Sequence, residues 1–442
     1  MKTKTLLIGC MAALCMSACT SNDNRRVIDV VQEPEIEEHV DNFRHEAQPI
    51  ALTRSQEDIN TRLQDFSLQV FKQMYADKQA GDNVLFSPFS LNVALGMFAN
   101  GLEGETLEQL LKTMNLTGFT VDDLNEYFQT MLKGVQEADD QVVFNCANSF
   151  WYHNRFNAMP SYAERLESYE AETREVNLDD VDEALKQING WVYDKTEGKI
   201  PTILTKKHME GFLWALINAI YYQGGWKHEF EESRTISLGF QKEDKTTQYI
   251  DLMRQTHMFP YQNYDGYQVA RFPYNDGAFD FFVVLPDLDT DINEVINTFS
   301  INDLILSNES KLSVEMPKMK VDYTNDHLMR YLTELNPNIN FNNGEDFNML
   351  VVKATGEAYH EEEALEIIQK TYMEVDEKGA VAAAVTAIIA ALSDDKKRQN
   401  TEDLKNKIRS LSLDGLLHMQ HEHDVSDELI IKCQNRVNEF YQ

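Results

Sequence analysis

Side chains suited to covalent chemistry are few and scattered. The five cysteines are Cys10, Cys15, Cys19, Cys146 and Cys433. Three lie in the first nineteen residues, so two distant thiols remain for a mature body. That is neither a disulfide framework nor a Cys-x-x-Cys pair for zinc or redox chemistry. His418, His421 and His423 gather near the end without metal-ligand spacing, as a solvated polar segment would. There is no Gly-x-Ser-x-Gly elbow, no His-Glu-x-x-His helix and no Gly-Lys-Ser/Thr phosphate loop. The chain is therefore not expected to be an enzyme or to need a metal or cofactor. Its formal charge of −33 repels nucleic acid and anionic head groups.

The unusual chemistry is mechanical and lies in residues 377–392. Past Lys378 the segment carries no charge and runs Gly-Ala-Val-Ala-Ala-Ala-Val-Thr-Ala-Ile-Ile-Ala-Ala-Leu. A charged stretch, Asp394-Asp395-Lys396-Lys397-Arg398, follows it. Alanine favours helix, so a buried core helix is one reading. A membrane span is excluded, because fourteen helical residues cover only ~21 Å. A third reading is a segment that lies outside as a loop and later enters a sheet as a strand. Insertion needs narrow, uncharged side chains on the inward face. Ala380, Ala382, Ala384, Thr386 and Ile388 meet that need at strand alternation. Composition alone leaves helix and inserting strand both open.

Other elements must form the body around it. Hydrophobic residues are 43% of the 442, enough for a sizeable core. Ser55-Gln56-Glu57-Asp58 has the form of a capping box, and Leu63, Phe66, Val70, Phe71 and Met74 follow at helical spacing. Residues 83–90 look like a short strand ending at Pro88, and 91–99 like a helix. Thr106 with Gln109 is a candidate cap for the next helix. Strands are expected at 141–151, 213–222, 279–285, 312–316 and 367–375. The run at 213–222 is apolar on both faces except Asn218, whose buried amide needs partners. Strands with helices grouped early imply an α+β domain.

Five motifs, in order, carry a family resemblance. They are the Ser-Pro-x-Ser and Gly-x-x-Gly-x-Thr elements within 83–106; Ile188-Asn189-Gly190-Trp191-Val192 with Thr196, Lys199 and Ile200; the 216–222 strand with Gly224 and Trp226; Met316-Pro317-Lys318; and the Glu-Lys-Gly plus alanine run from Glu377. Together they resemble the serpins over about 55–392. The resemblance implies three β-sheets, eight to nine helices and an exposed reactive-centre loop. It implies a suicide-substrate inhibitor of serine, or cysteine, proteases. The protease cleaves the loop, and the loop inserts into the large sheet before the acyl-enzyme hydrolyses.

Residue roles follow from the resemblance. Glu377, Gly379, Ala380, Ala382, Ala383, Ala384 and Thr386 form the hinge. Ser87, Ser90 and Asn218 match the shutter, and Trp226 with the Lys318–Glu377 pair the breach. The cleaved bond falls at Ser393–Asp394 or Leu392–Ser393. The Ala/Leu-rich approach suits an elastase-like or chymotrypsin-like target. Departures are also present. Val381 stands at a hinge position usually Glu, and Gln369 where a shutter His is usual. The family's two closing C-terminal strands are not found in 393–442, which is charged and helical in pattern. A non-inhibitory surface-binding relative is the alternative.

The N-terminus carries an address. Lys2 and Lys4 precede an apolar run, and Met16-Ser17-Ala18-Cys19 resembles a bacterial lipobox. Residues 1–19 are expected to be a lipoprotein signal, with Cys19 acylated; Cys10 is a rival. Residues 20–54, with Pro34, Glu35, Glu37 and Glu38, look like an acidic tether with too little apolar content to bury. The expected product is a monomer, exported and lipid-anchored in the bacterial envelope or at the cell surface. Its expected contacts are a target protease and, through the lipid, a membrane.

Overall fold

The computed structural model describes residues 28–30, 50–79, 81–242, 246–275, 277–287, 290–341, 350–353 and 363–392. In chain order the elements are β1 (Ile28–Val30), α1 (Arg54–Asp77), α2 (Pro88–Ala99), α3 (Gly104–Thr113), α4 (Val121–Glu137), β2 (Val143–His153), β3 (Phe156–Ala158), α5 (Pro160–Leu166), β4 (Ala171–Val176), α6 (Val181–Lys195) and β5 (Phe212–Gly225). Then come β6 (Ile236–Gln241), β7 (Thr247–Asn263), β8 (Tyr267–Pro273), β9 (Asp280–Pro286), α7 (Ile292–Thr298), β10 (Glu309–Pro317), β11 (Met319–Asn325), α8 (Leu328–Leu335), β12 (Val351–Lys353), β13 (Glu363–Val375) and β14 (Gly379–Leu392).

The strands form three sheets. The main sheet has the order β11-β13-β14-β5-β2-β4, and the second β1-β10-β7-β8-β9 with β6 on β7; β12 and β3 make a small pair. With eight α-helices among the described residues, this is the α+β architecture expected.

Why α1 forms is plain in its ends and its stripe. Thr53 caps it, accepting from the Gln56 backbone at 3.3 Å while Gln56 Oε1 accepts from Thr53 N at 3.0 Å. The reciprocal cap lies two residues earlier than the Ser55 box. Leu63, Phe66, Val70, Phe71 and Met74 are all buried. α2 starts with Pro88 in its first turn and is apolar all round. It is buried through its length, as such a helix must be.

Two expectations are corrected here. Residues 83–87 are not a strand. Val84 to Ser87 are buried, but their backbone bonds to side chains instead of a ladder: Thr371 Oγ1 donates to Leu85 O, and Ser87 pairs with Gln369. Thr106 does not cap α3. It lies inside that helix and donates to Asn340 O at 3.1 Å.

Two cores flank the main sheet. The larger lies between it, the early helices and the second sheet. The smaller lies under α6, where Ile188, Trp191 and Val192 cover Ile217, Val385, Ala387 and Ile389. Asn189 pins the chain after α6 by accepting from Ile203 N and Leu204 N and donating to Leu204 O. The 188–200 motif is thus a lid over one face of the sheet. Ile188→Ala should cost about 2–5 kcal/mol by the cavity it leaves. Guanidinium denaturation should show a lower midpoint; an unchanged midpoint would mean α6 does not hold the sheet.

Candidate functional site

The alanine run is a strand, not a helix. β14 pairs antiparallel with β13 from Glu363↔Leu392 to Val375↔Ala380, and with β5 from Gly379↔Gly225 to Ala391↔Phe212. The exposed loop of the sequence expectation is therefore, in this structure, the third strand of the main sheet's six, buried on both faces. Its composition explains why. Ala380, Ala382, Ile388, Ala390 and Leu392 join the larger core; Ala383, Val385, Ala387 and Ile389 join the smaller. A charged side chain at any of these positions would be stranded without solvent.

At the head of the strand, residues 376–379 form a tight turn closed by Asp376 N to Gly379 O at 3.0 Å. Asp376 Oδ1 accepts from Lys378 N and Gly379 N. Gly379 must be glycine: a Cβ there would lie 2.0 Å from Gly224 O. Glu377 is buried, and its carboxylate meets Lys318 Nζ at 2.8 Å and Thr235 Oγ1 at 2.7 Å. Burial pushes this carboxyl upward, but the hydrogen bonds from Lys318 and Thr235 outweigh it and hold the group low. Lys318 is raised by the same bond to Glu377. Lys318 and Glu377 are thus paired at the turn.

Trp226 sits where the turn meets the body. Its backbone N–H donates to Lys378 O and its indole to Asp376 O, both at 2.8 Å. Its ring stacks on Tyr274 with centroids 4.7 Å apart. Phe230 N donates to Glu377 O at 2.9 Å. The segment after β5 therefore grips the turn through backbone atoms that any sequence at the turn would offer.

At mid-strand a polar row crosses the sheet. Asn325, Gln369, Thr386, Asn218 and Asn148 stand in register on β11, β13, β14, β5 and β2. Gln369 donates to Ser87 O at 3.0 Å and to Thr386 Oγ1 at 2.8 Å, and accepts from Ser87 N at 2.9 Å. Ser90 Oγ and Thr386 Oγ1 share a hydrogen bond of 2.8 Å. Asn218 donates to Asn148 Oδ1 at 2.8 Å, and Asn148 donates to Tyr169 O at 2.7 Å. Ser87 and Ser90 thus meet Gln369 and Thr386, and Asn218 stands opposite Thr386 in the ladder. Gln369 is a full member, since one amide edge both donates to and accepts from Ser87. Asn148 and Asn325 were not anticipated. Their signal was the one that marked Asn218, a lone amide at a buried strand position.

The remaining candidates divide by place. Val381 is half-buried against the smaller core, facing Gln223 and Glu374. Leu392 is buried at the end of β14. Ser393, Asp394, Cys19, Cys10 and the histidines of 418–423 lie outside the described residues. Burial pushes the Cys146 thiol up to about 12, so it stays neutral. Among the described residues no three His, Cys, Asp or Glu gather as metal ligands, and no helix is long and apolar enough to cross a membrane.

Comparison with known proteins agrees with this geometry. Residues 61–404 match the family model "Serpin (serine protease inhibitor)". The chain belongs to the serpin family. A leukocyte elastase inhibitor of Xenopus laevis is 27% identical over 351 residues, covering 76% of this chain and 90% of that one. The solved structure titled cleaved Serpin 42Da matches with a TM-score of 0.69 and 23% identity, covering 76% of this chain and 90% of that chain. The thermophilic serpin Tengpin in the latent state matches with a TM-score of 0.64 and 26% identity over the same shares. The family's description is that of a serine protease inhibitor.

Two predictions follow from this site. Thr386→Val removes the acceptor of Gln369 Nε2 and the hydroxyl partner of Ser90 Oγ, and should cost about 1–3 kcal/mol for each group left unsatisfied. Thr386→Ser should restore most of it; equal melting temperatures for all three chains would remove the row from the account. The second concerns pH. His228 packs flat on His257 with ring centroids 3.6 Å apart. Burial first, then His257 and Lys227, hold His228 down at about 4, and burial holds His153 there too. The unfolded chain protonates both near pH 6.5. Their stabilisation is complete above pH 6.5 and is lost as pH falls toward 4. Asp280, raised to about 6 by burial, acts in the opposite sense over part of that window. His228→Gln should flatten the fall in melting temperature between pH 6.5 and 4; superimposed profiles would refute the assignment.

Proposed function

We propose that this serpin inhibits serine proteases as a suicide substrate, with residues 379–392 as the inserting segment. The observation that carries this is the seating of β14 between β13 and β5, with its two faces in the two cores. Because β14 is antiparallel to both neighbours, β13 and β5 run parallel to one another. Before insertion they either close into a parallel pair, which is slightly weaker per residue, or stand apart with ladder groups unpaired. Insertion satisfies both edges and is strongly downhill.

Fourteen residues of strand span about 45 Å. A protease held as an acyl-enzyme after Leu392, at Leu392–Ser393 or Ser393–Asp394, is carried along that length by insertion. The Ala/Leu-rich approach and the relatives named as leukocyte elastase inhibitors support an elastase-like or chymotrypsin-like target. Cys19 is the lipid attachment point in this proposal, supported by the Lys2/Lys4 start and the small residues before it. The protein then acts from the bacterial envelope or cell surface.

The test is to mix the full chain with elastase-like, chymotrypsin-like, trypsin-like and papain-like proteases and run denaturing gels. A band at the summed mass with an elastase-like or chymotrypsin-like enzyme is expected. Ala384→Arg, at a position 1% exposed, must bury an unpaired charge. That costs several kcal/mol, so the band should fall at least tenfold while cleavage near Leu392 continues. Cleavage without a band for the unaltered chain would establish a non-inhibitory binding protein instead.

A further inference from the structure

A cleft opens between α1, the start of α2, α4 and Ile301. Its floor is buried and mostly apolar, with Leu63, Phe71, Phe86, Phe89 and Met131 as walls. Its mouth, at Asn60, Gln64 and Ile301, is half-buried. Among the described residues no charged side chain lines it. The free volume is about 70 Å³. That is roughly half of a closed ~150 Å³ cavity that takes benzene. With an open mouth, the rest of a ring can stand out toward solvent.

Asn92 lines this cleft from α2 and is 6% exposed. Its neighbour fixes which way its amide faces. Ser67 Oγ gives its single hydrogen to Leu63 O at 2.7 Å, so toward Asn92 it can only accept. Asn92 Nδ2 therefore donates to Ser67 Oγ, at 3.0 Å, and Oδ1 is turned the other way. Oδ1 has no hydrogen-bond partner among the described residues. A buried carbonyl oxygen needs a donor. Water suits the place poorly, because it needs ~2–4 polar partners and most of the walls are hydrocarbon. A hydroxyl carried on an apolar body meets both demands. A carboxylate does not, since it would set acceptor against acceptor. An ammonium would enter an uncharged, apolar site without a counter-ion.

We propose that this cleft binds a small neutral phenol or alcohol, whose hydroxyl donates to Asn92 Oδ1 while its apolar body lies among Phe71, Phe86, Phe89 and Met131. The site is independent of protease inhibition and uses no residue of 379–392. Its test uses the full-length chain labelled at the methionine methyl groups, with phenol, toluene and benzoate as probes. The Met131 resonance is assigned through Met131→Leu. Phenol should shift that resonance saturably, with a Kd of about 1 mM, within the range open to seven heavy atoms. Nuclear Overhauser effects should join the phenol ring to the Met131 methyl. Benzoate should leave the resonance unmoved. Toluene has the shape of phenol without the donor, so Asn92→Leu should lower the ratio of phenol to toluene affinity at least fivefold. If that variant does not fold, the unaltered chain decides alone: phenol must bind at Met131 and benzoate must not. Absence of a saturable phenol shift, binding of benzoate as tight as that of phenol, or an unchanged phenol-to-toluene ratio in folded Asn92→Leu would overturn the proposal.

Discussion

Everything in this fold is arranged around one slot, the space between β13 and β5. The two strands run parallel to each other, and each pairs along its length with the antiparallel β14 between them. The slot is buried on both faces, so its occupant must be narrow and uncharged at every position but the half-buried Val381 and Ala391. An alanine series interrupted by Val385, Ile388 and Ile389 meets that condition, with larger residues where the cores have room. The turn at 376–379 then has no freedom. Gly379 must pass against Gly224, and Glu377 must turn inward to Lys318 and Thr235.

A slot of small apolar residues specifies its occupant weakly, since one alanine resembles the next. The polar row supplies the register. A slip of one residue would reverse every side chain of β14 and carry Thr386 away from Ser90 and Gln369. Buried donors left unpaired would oppose the slip by more than small differences in alanine packing. Asn218 Oδ1 has no partner among the described residues, and that residual cost lies beside the same strand. A row fully satisfied only around Thr386 ties stability to a filled slot.

Much of this was legible in the chain because periodicity is a local signal. The α1 stripe, the apolar run of β5 and the alternation of 380–392 all announce their buried faces. What was not legible depended on partners distant in sequence. Residues 83–87 look like a strand because they are apolar, yet their backbone is satisfied by Gln369 and Thr371, some 285 residues away. Gln369 read as a loss where a histidine is usual, and only the placement of Ser87 shows that an amide fills the position. Whether 379–392 forms a helix, an outside loop or a strand of the sheet was beyond sequence, since its composition suits each.

The two sheets meet the hinge through a single residue. Lys318 is all that separates β10, in the second sheet, from β11, in the main sheet. Its backbone N–H donates to Asp251 O on β7, and its ammonium holds Glu377. Trp226 makes the matching link from the other side, leaving β5 to bridge Tyr274 while bonding to the turn at Asp376 and Lys378. Lys318 is half-exposed and Glu377 buried, so the attraction in this pair is largely offset by the cost of burying the carboxylate. Its position is what matters. Gly379 begins β14, and the residues that hold its turn are those that join the sheets. The head of the strand is therefore held by a side-chain ion pair on one side and by the indole and backbone N–H of Trp226 on the other.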